Sequence, residues 1–181
     1  MTATPTTPLA KRVYDVAHLT GQFLLRSGKT STEYFDKYQF ESDPKLLREI
    51  AQELAPKIPK TTDYLGALEM GGIPIATALS LETGIPVVFV RKSAKEYGTC
   101  KFAEGPAIKG KRLTLIEDVI TTGGQVVISA GDLRSEGAII EDVLCVIDRS
   151  EGQTQKITDA KLKVHALFTM AQLKALGEGG H

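Results

Sequence analysis

The chain has 181 residues, enough to bury one substantial core with or without a small appendage. Lysine plus arginine equals aspartate plus glutamate at 22 each, so net charge is zero and global binding to nucleic acid or acidic membrane is not expected. Gly, Pro or charge interrupts every apolar run before it reaches the length of a membrane span.

Residues 1–8 are Thr/Pro-rich and lack the basic start and apolar centre of a signal peptide, so they read as a disordered tip. Leu9, Val13, Val16 and Ala17 share one face of a short helix. Strands are expected over 22–26 and 34–40, around a polar turn at 27–30. Ser42 or Asp43 can cap a helix that has Pro44 in its first turn, with Leu46, Leu47, Ile50, Ala51 and Leu54 at helical spacing. From there strands and helices alternate. Strands are expected over 64–68, 86–90, 112–117, 139–147 and 163–168, with helices over 73–82, 125–136 and 171–176. A long charged loop covers 91–110. This order predicts an α/β fold with a central parallel sheet flanked by helices, whose strand C-termini converge on one edge. The first 40 or so residues break the alternation and are expected to form a small N-terminal cap, or hood, over the core from 41 to 181, all in one domain. Cys100 and Cys145 read as free thiols of a reducing cytoplasm, and His18, His165 and His181 are too scattered for a metal cluster.

The densest chemistry lies in Glu117-Asp118-Val119-Ile120-Thr121-Thr122-Gly123-Gly124-Gln125. Paired carboxylates can accept from the two hydroxyls of a ribose. Amides and threonine hydroxyls where a helix begins can hold its 5-phosphate. Gly28-Lys29-Thr30 has the ending of a Walker A loop, but Phe23 stands where the earlier glycine belongs and no amphipathic helix follows. The loop Arg91-Lys92-Ser93-Ala94-Lys95-Glu96-Tyr97-Gly98-Thr99-Cys100-Lys101 follows a core strand at the same edge. Its cations suit a diphosphate, and closure would exclude water.

The segment 117–125 resembles the phosphoribosyl-diphosphate (PRPP) signature of the type I phosphoribosyltransferases. Gly21 to Gly28 with Ser31, Tyr34 and Phe35, then Gly72-Ile73-Pro74, the charged loop with Glu104-Gly105, and Asp148-Arg149 resemble the orotate phosphoribosyltransferase family in order, from about residue 19 to about residue 152. The resemblance implies the type I fold and transfer of phosphoribose from PRPP to orotate, giving orotidine 5′-monophosphate and pyrophosphate with inversion through an oxocarbenium-like ribose. It implies that Glu117 and Asp118 take the ribose hydroxyls and that the loop from Val119 and Ile120 through Thr121, Thr122, Gly123, Gly124 and Gln125 wraps the phosphate. Arg26, Gly71 and Gly72 also face PRPP. Arg149 holds the orotate carboxylate, aided by Thr121, with Tyr34 and Phe35 against the ring. Arg91, Lys92, Lys95 and Tyr97 act on the leaving group. Mg²⁺ is carried mainly through substrate oxygens, with no dedicated protein ligands. A two-fold homodimer with the catalytic loop acting in trans is also implied. Gln125, Tyr97 and Gly71 depart from residues common in the family, which have Ser or Thr, His, and Lys there. A phosphoribosyltransferase for another base and a PRPP-binding regulator are the alternative readings.

Overall fold

The computed structural model describes residues 7–24, 28–92, 102–150 and 154–178. Arg26, Lys95, Tyr97, Cys100 and His181, singled out above, lie outside the described residues.

Helix α1 (Thr7–Ala17) buries Leu9, Ala10, Val13 and Ala17. Val16 is 37% exposed, because Ala10 joins the buried stripe and turns its centre away from residue 16. Strands β1 (His18–Leu24) and β2 (Thr30–Phe35) form a separate antiparallel hairpin. The strand expected over 34–40 therefore ends early. The Asp36 carboxylate accepts from the Tyr38 amide at 3.2 Å and the Gln39 side chain at 2.9 Å, which turns the chain into the short helix α2 (Tyr38–Ser42). Asp43 caps α3 (Pro44–Leu54) by accepting from the Lys45 and Leu46 amides. Leu46, Ile50, Ala51 and Leu54 form the buried stripe of α3.

The main sheet contains β3 (Tyr64–Leu68), β4 (Val87–Val90), β5 (Ala103–Glu104), β6 (Arg112–Ile120), β7 (Ile139–Asp148) and β8 (Lys163–Thr169), in the spatial order β5-β4-β3-β6-β7-β8. All neighbours are parallel except β4 and β5. That edge strand falls inside the segment read as one long loop. Strand β6 runs to Ile120, three residues beyond its expected end, so Glu117 and Asp118 lie within the strand.

Helices α4 (Gly72–Thr83), α5 (Gly124–Ser135), α6 (Gln155–Asp159) and α7 (Met170–Glu178) complete the order. One face of the sheet buries α1, α3, α4 and α7 around Leu65, Ala67, Ile116 and Leu144. The other buries α5, and Ile157 of α6, around Leu113, Leu115, Val143 and the free thiol Cys145. The chain leaves β3 toward β4 on one side and β6 toward β7 on the other. Between β3 and β6 the order reverses, and crevices at such points, beyond the strand C-termini, are where open α/β sheets bind ligands.

Candidate active site

The β6–α5 turn leaves backbone donors open at the start of a helix. Gly123 sits before α5 with φ +70°, in the left-handed region, and offers no side-chain cap. The first amides of α5 thus keep their donors free of a capping side chain. Thr121 and Thr122 are exposed beside them. The Thr154 hydroxyl donates to the Thr122 carbonyl at 3.2 Å and ties the turn to the segment before α6. Gln125 turns its side chain along the helix, its amide donating to Ser129 Oγ at 3.3 Å.

The two acids differ in exposure. Glu117 is half-buried, whereas Asp118 is fully buried and forms an ion pair with Lys37 Nζ. The Asp118 carboxylate also accepts from the Val119 amide, and Glu117 Oε1 accepts from the Asp118 amide at 3.1 Å. Burial pushes the Glu117 carboxyl up, and its hydrogen bond to Asp118 pushes it further. Burial also works against ionised Asp118, but hydrogen bonds from Glu117 and Lys37 outweigh it and hold Asp118 below the usual carboxylate range. Glu41, buried at the end of α2, is pushed up to about 8 by burial and then by Asp118. One ionised carboxylate thus lies between two carboxyls that favour their protonated forms and one ammonium.

At the start of α4, Gly71 and Gly72 pack where no side chain fits. A Cβ on Gly71 would lie 1.5 Å from Asp118 Oδ2, and one on Gly72 would lie 2.2 Å from the Ile116 carbonyl oxygen. The Arg91 guanidinium approaches Glu104 at 3.7 Å, and the Lys92 amide donates to Glu69 Oε1 at 2.6 Å.

Beside the acids is a cavity of about 500 Å³ between the hairpin and the sheet edge. It brings together Tyr34 and Phe35 from β2, Thr121 from the β6–α5 turn and Arg149, which directly follows β7. The Arg149 amide donates to the Ile120 carbonyl at 2.8 Å, which fixes the arginine next to the turn. Tyr34 also packs against Phe23, with ring centroids 5.5 Å apart, and Phe35 against Tyr14 at 6.4 Å. Hairpin packing and cavity lining are therefore both roles of these rings.

Residues 39–165 match the phosphoribosyl transferase domain family. The orotate phosphoribosyltransferase of Nocardioides sp. is 54% identical over 172 residues, covering 95% of this chain and 96% of that protein. The chain belongs to the orotate phosphoribosyltransferase family. The Pyrococcus horikoshii member is 43% identical over 161 residues, covering 87% of each chain. The crystal structure of the Mycobacterium tuberculosis member in complex with Fe(III) dicitrate superposes with a TM-score of 0.80 at 27% identity, covering 92% of this chain and 97% of that one.

Against this family background, the cavity adds residues to which the sequence gives no site role. Lys37, His18, Glu33, Asp36 and Lys174 line it. Lys37 fell inside the stretch mistaken for strand, and no spacing marks it. His18 stacks on Tyr14 with centroids 4.7 Å apart, a contact that only the meeting of α1 and β1 creates.

Proposed function

We propose that this chain transfers the phosphoribosyl group of PRPP to orotate, releasing pyrophosphate and forming orotidine 5′-monophosphate, a step of pyrimidine biosynthesis. The observation that carries the reading is the convergence of Arg149 and Thr121 in one cavity at the mouth of the phosphate turn. An always-charged planar fork suits the carboxylate of orotate, and the threonine hydroxyl can complement it. Glu117 and Asp118 hold the ribose hydroxyls, and the turn from Val119 to Gln125 holds the 5-phosphate. Arg26, Gly71 and Gly72 complete the PRPP site, while Tyr34 and Phe35 flank the base. Arg91, Lys92, Lys95 and Tyr97 serve the departing pyrophosphate. Catalysis then rests on alignment, charge stabilisation and exclusion of water, with no protein nucleophile.

Among the described residues no cluster of three or more His, Cys, Asp or Glu side chains could hold a metal. Half-buried Glu117 offers a hard oxygen at the edge of the site, which suits Mg²⁺ held largely by oxygens of PRPP. That ion would neutralise charge developing on the pyrophosphate. The chain works as one phosphoribosyltransferase domain, 1–181, with a hood over about 1–40. It pairs as a two-fold homodimer in the cytoplasm, its loop reaching the partner's site.

Orotate absorbance followed with PRPP and Mg²⁺ tests the activity. Wild type should consume orotate. Arg149→Ala should raise the KM for orotate by about thirtyfold, the equivalent of about 2 kcal/mol for a charged hydrogen bond. Absence of wild-type turnover would sink the assignment, and an unchanged orotate KM would remove Arg149 from the base site.

A further inference from the structure

Lys37 connects two parts of the site that the sequence keeps separate. It precedes α2, lines the base cavity and forms an ion pair with Asp118, whose side chain is 1% exposed. Asp118 is enclosed on every side. Gly71 abuts it from the start of α4, Glu117 Oε1 accepts from its backbone amide, Glu41 is buried at the end of α2, and Lys37 reaches it from the hairpin side. Among the described residues, Lys37 is the cation that acts on all three carboxyls.

We propose that Lys37 is a positioning residue for PRPP: by holding Asp118 from the base-cavity side, it fixes the orientation of the acid pair that receives the ribose hydroxyls. The inference rests on the ribose-binding role given above to Glu117 and Asp118. A hydroxyl donates well to a carboxylate, whereas a protonated acid competes as a donor itself. Like-charged carboxyls gathered in a buried site favour protonation, and burial already biases Glu41 and Glu117 that way. Asp118 is left as the ionised member, and the Lys37 ammonium pairs with it. Lys37 therefore fixes where the Asp118 carboxylate points, and the hydrogen bond from the Asp118 amide to Glu117 Oε1 at 3.1 Å carries that placement to the neighbouring acid. Because Asp118 is buried, the lysine works through it on the half-buried Glu117, which can reach a ligand.

The test uses the full chain and the variants Lys37→Met, Lys37→Arg, Asp118→Asn and the Lys37→Met/Asp118→Asn double. KM for PRPP, KM for orotate and kcat are measured, with calorimetric PRPP binding in the absence of base. Lys37→Met should raise the KM for PRPP by about thirtyfold, with orotate KM and kcat within about threefold of wild type. Lys37→Arg keeps the charge and should recover most of the loss. In the Asp118→Asn background, removing Lys37 should add less than about threefold, because its partner is gone. If Lys37→Met melts below the assay temperature, the comparison of Asp118→Asn with the double variant decides, since neither leaves a buried charge unpaired on Asp118. An unchanged PRPP KM in Lys37→Met overturns the proposal. So does a loss confined to orotate KM, which would make Lys37 a base contact, or a full additive loss in the Asp118→Asn background. Wild-type PRPP binding without orotate turnover would sink the enzyme reading alone. Weaker PRPP binding by Lys37→Met would still support the positioning role.

Discussion

Gly123 shows how one residue can carry both fold and site. Its φ of +70° disfavours any side chain, and a Cβ there would meet Ile157 Cδ1 at 2.5 Å in a fully buried position. Gly123→Ala should combine a left-handed penalty of about 1–2 kcal/mol with an overpacking cost of about 1–3 kcal/mol. We expect a melting temperature lower by about 6–15 °C, and a raised PRPP KM because the proposed phosphate turn shifts. A melting temperature within 1 °C of wild type, read by calorimetry, would mean that the turn accommodates the methyl freely. The glycine was legible in the sequence because turn chemistry is local. So were Glu117, Asp118, Thr121 and Arg149, which stand in recognisable order along the chain. Lys37 and Glu41 were not. Their importance comes from meeting Asp118 across more than seventy residues of chain, and no local pattern announces such a contact.

Among the elements, the parallel strands were read well because near-continuous apolar runs bounded by glycine admit few alternatives. The errors have physical causes. Tyr34, Phe35, Tyr38 and Phe40 look like strand residues, but Asp36 offers its carboxylate to the following amides and the chain coils into α2. The apolar pattern of β6 breaks at Glu117 and Asp118, and charge usually marks a strand end. Here Lys37 and the neighbouring carboxyls allow Asp118 to remain inside. Helix α6 has a single buried residue, Ile157, too little for a periodic signal. The start of α3, by contrast, follows from Asp43 and Pro44 alone. Asp43→Ala should lower the melting temperature by about 2–4 °C near neutral pH. Hydrogen bonds from the Leu46 and Lys45 amides hold the Asp43 carboxyl below its ordinary value, so its contribution exists only while it is ionised. The difference between wild type and Asp43→Ala should shrink as pH falls through that lowered value. A pH-independent difference would point to a packing effect instead.

For the molecule as a whole, the buried acids give stability an unusual pH dependence. Glu41 is pushed from an ordinary 4.5 up to about 8, first by burial and then by Asp118. A raised carboxyl stabilises fully below its unfolded value, and that contribution is lost as pH rises toward the folded one. Glutamine cannot ionise, so the melting temperature of Glu41→Gln relative to wild type should climb between about pH 5 and about pH 9. A flat difference would show that Glu41 titrates normally. Two cores on opposite faces of the sheet deliver α4 and α5 to the same crevice from opposite sides, each beginning with glycine and without a capping side chain. On the proposed assignment, an anion held there is met largely by main-chain dipoles, which no side-chain substitution deletes. Variants stripped of their loop cations should lose turnover long before they lose the ability to hold a phosphate, so affinity and catalysis are open to separate evolutionary change on this scaffold.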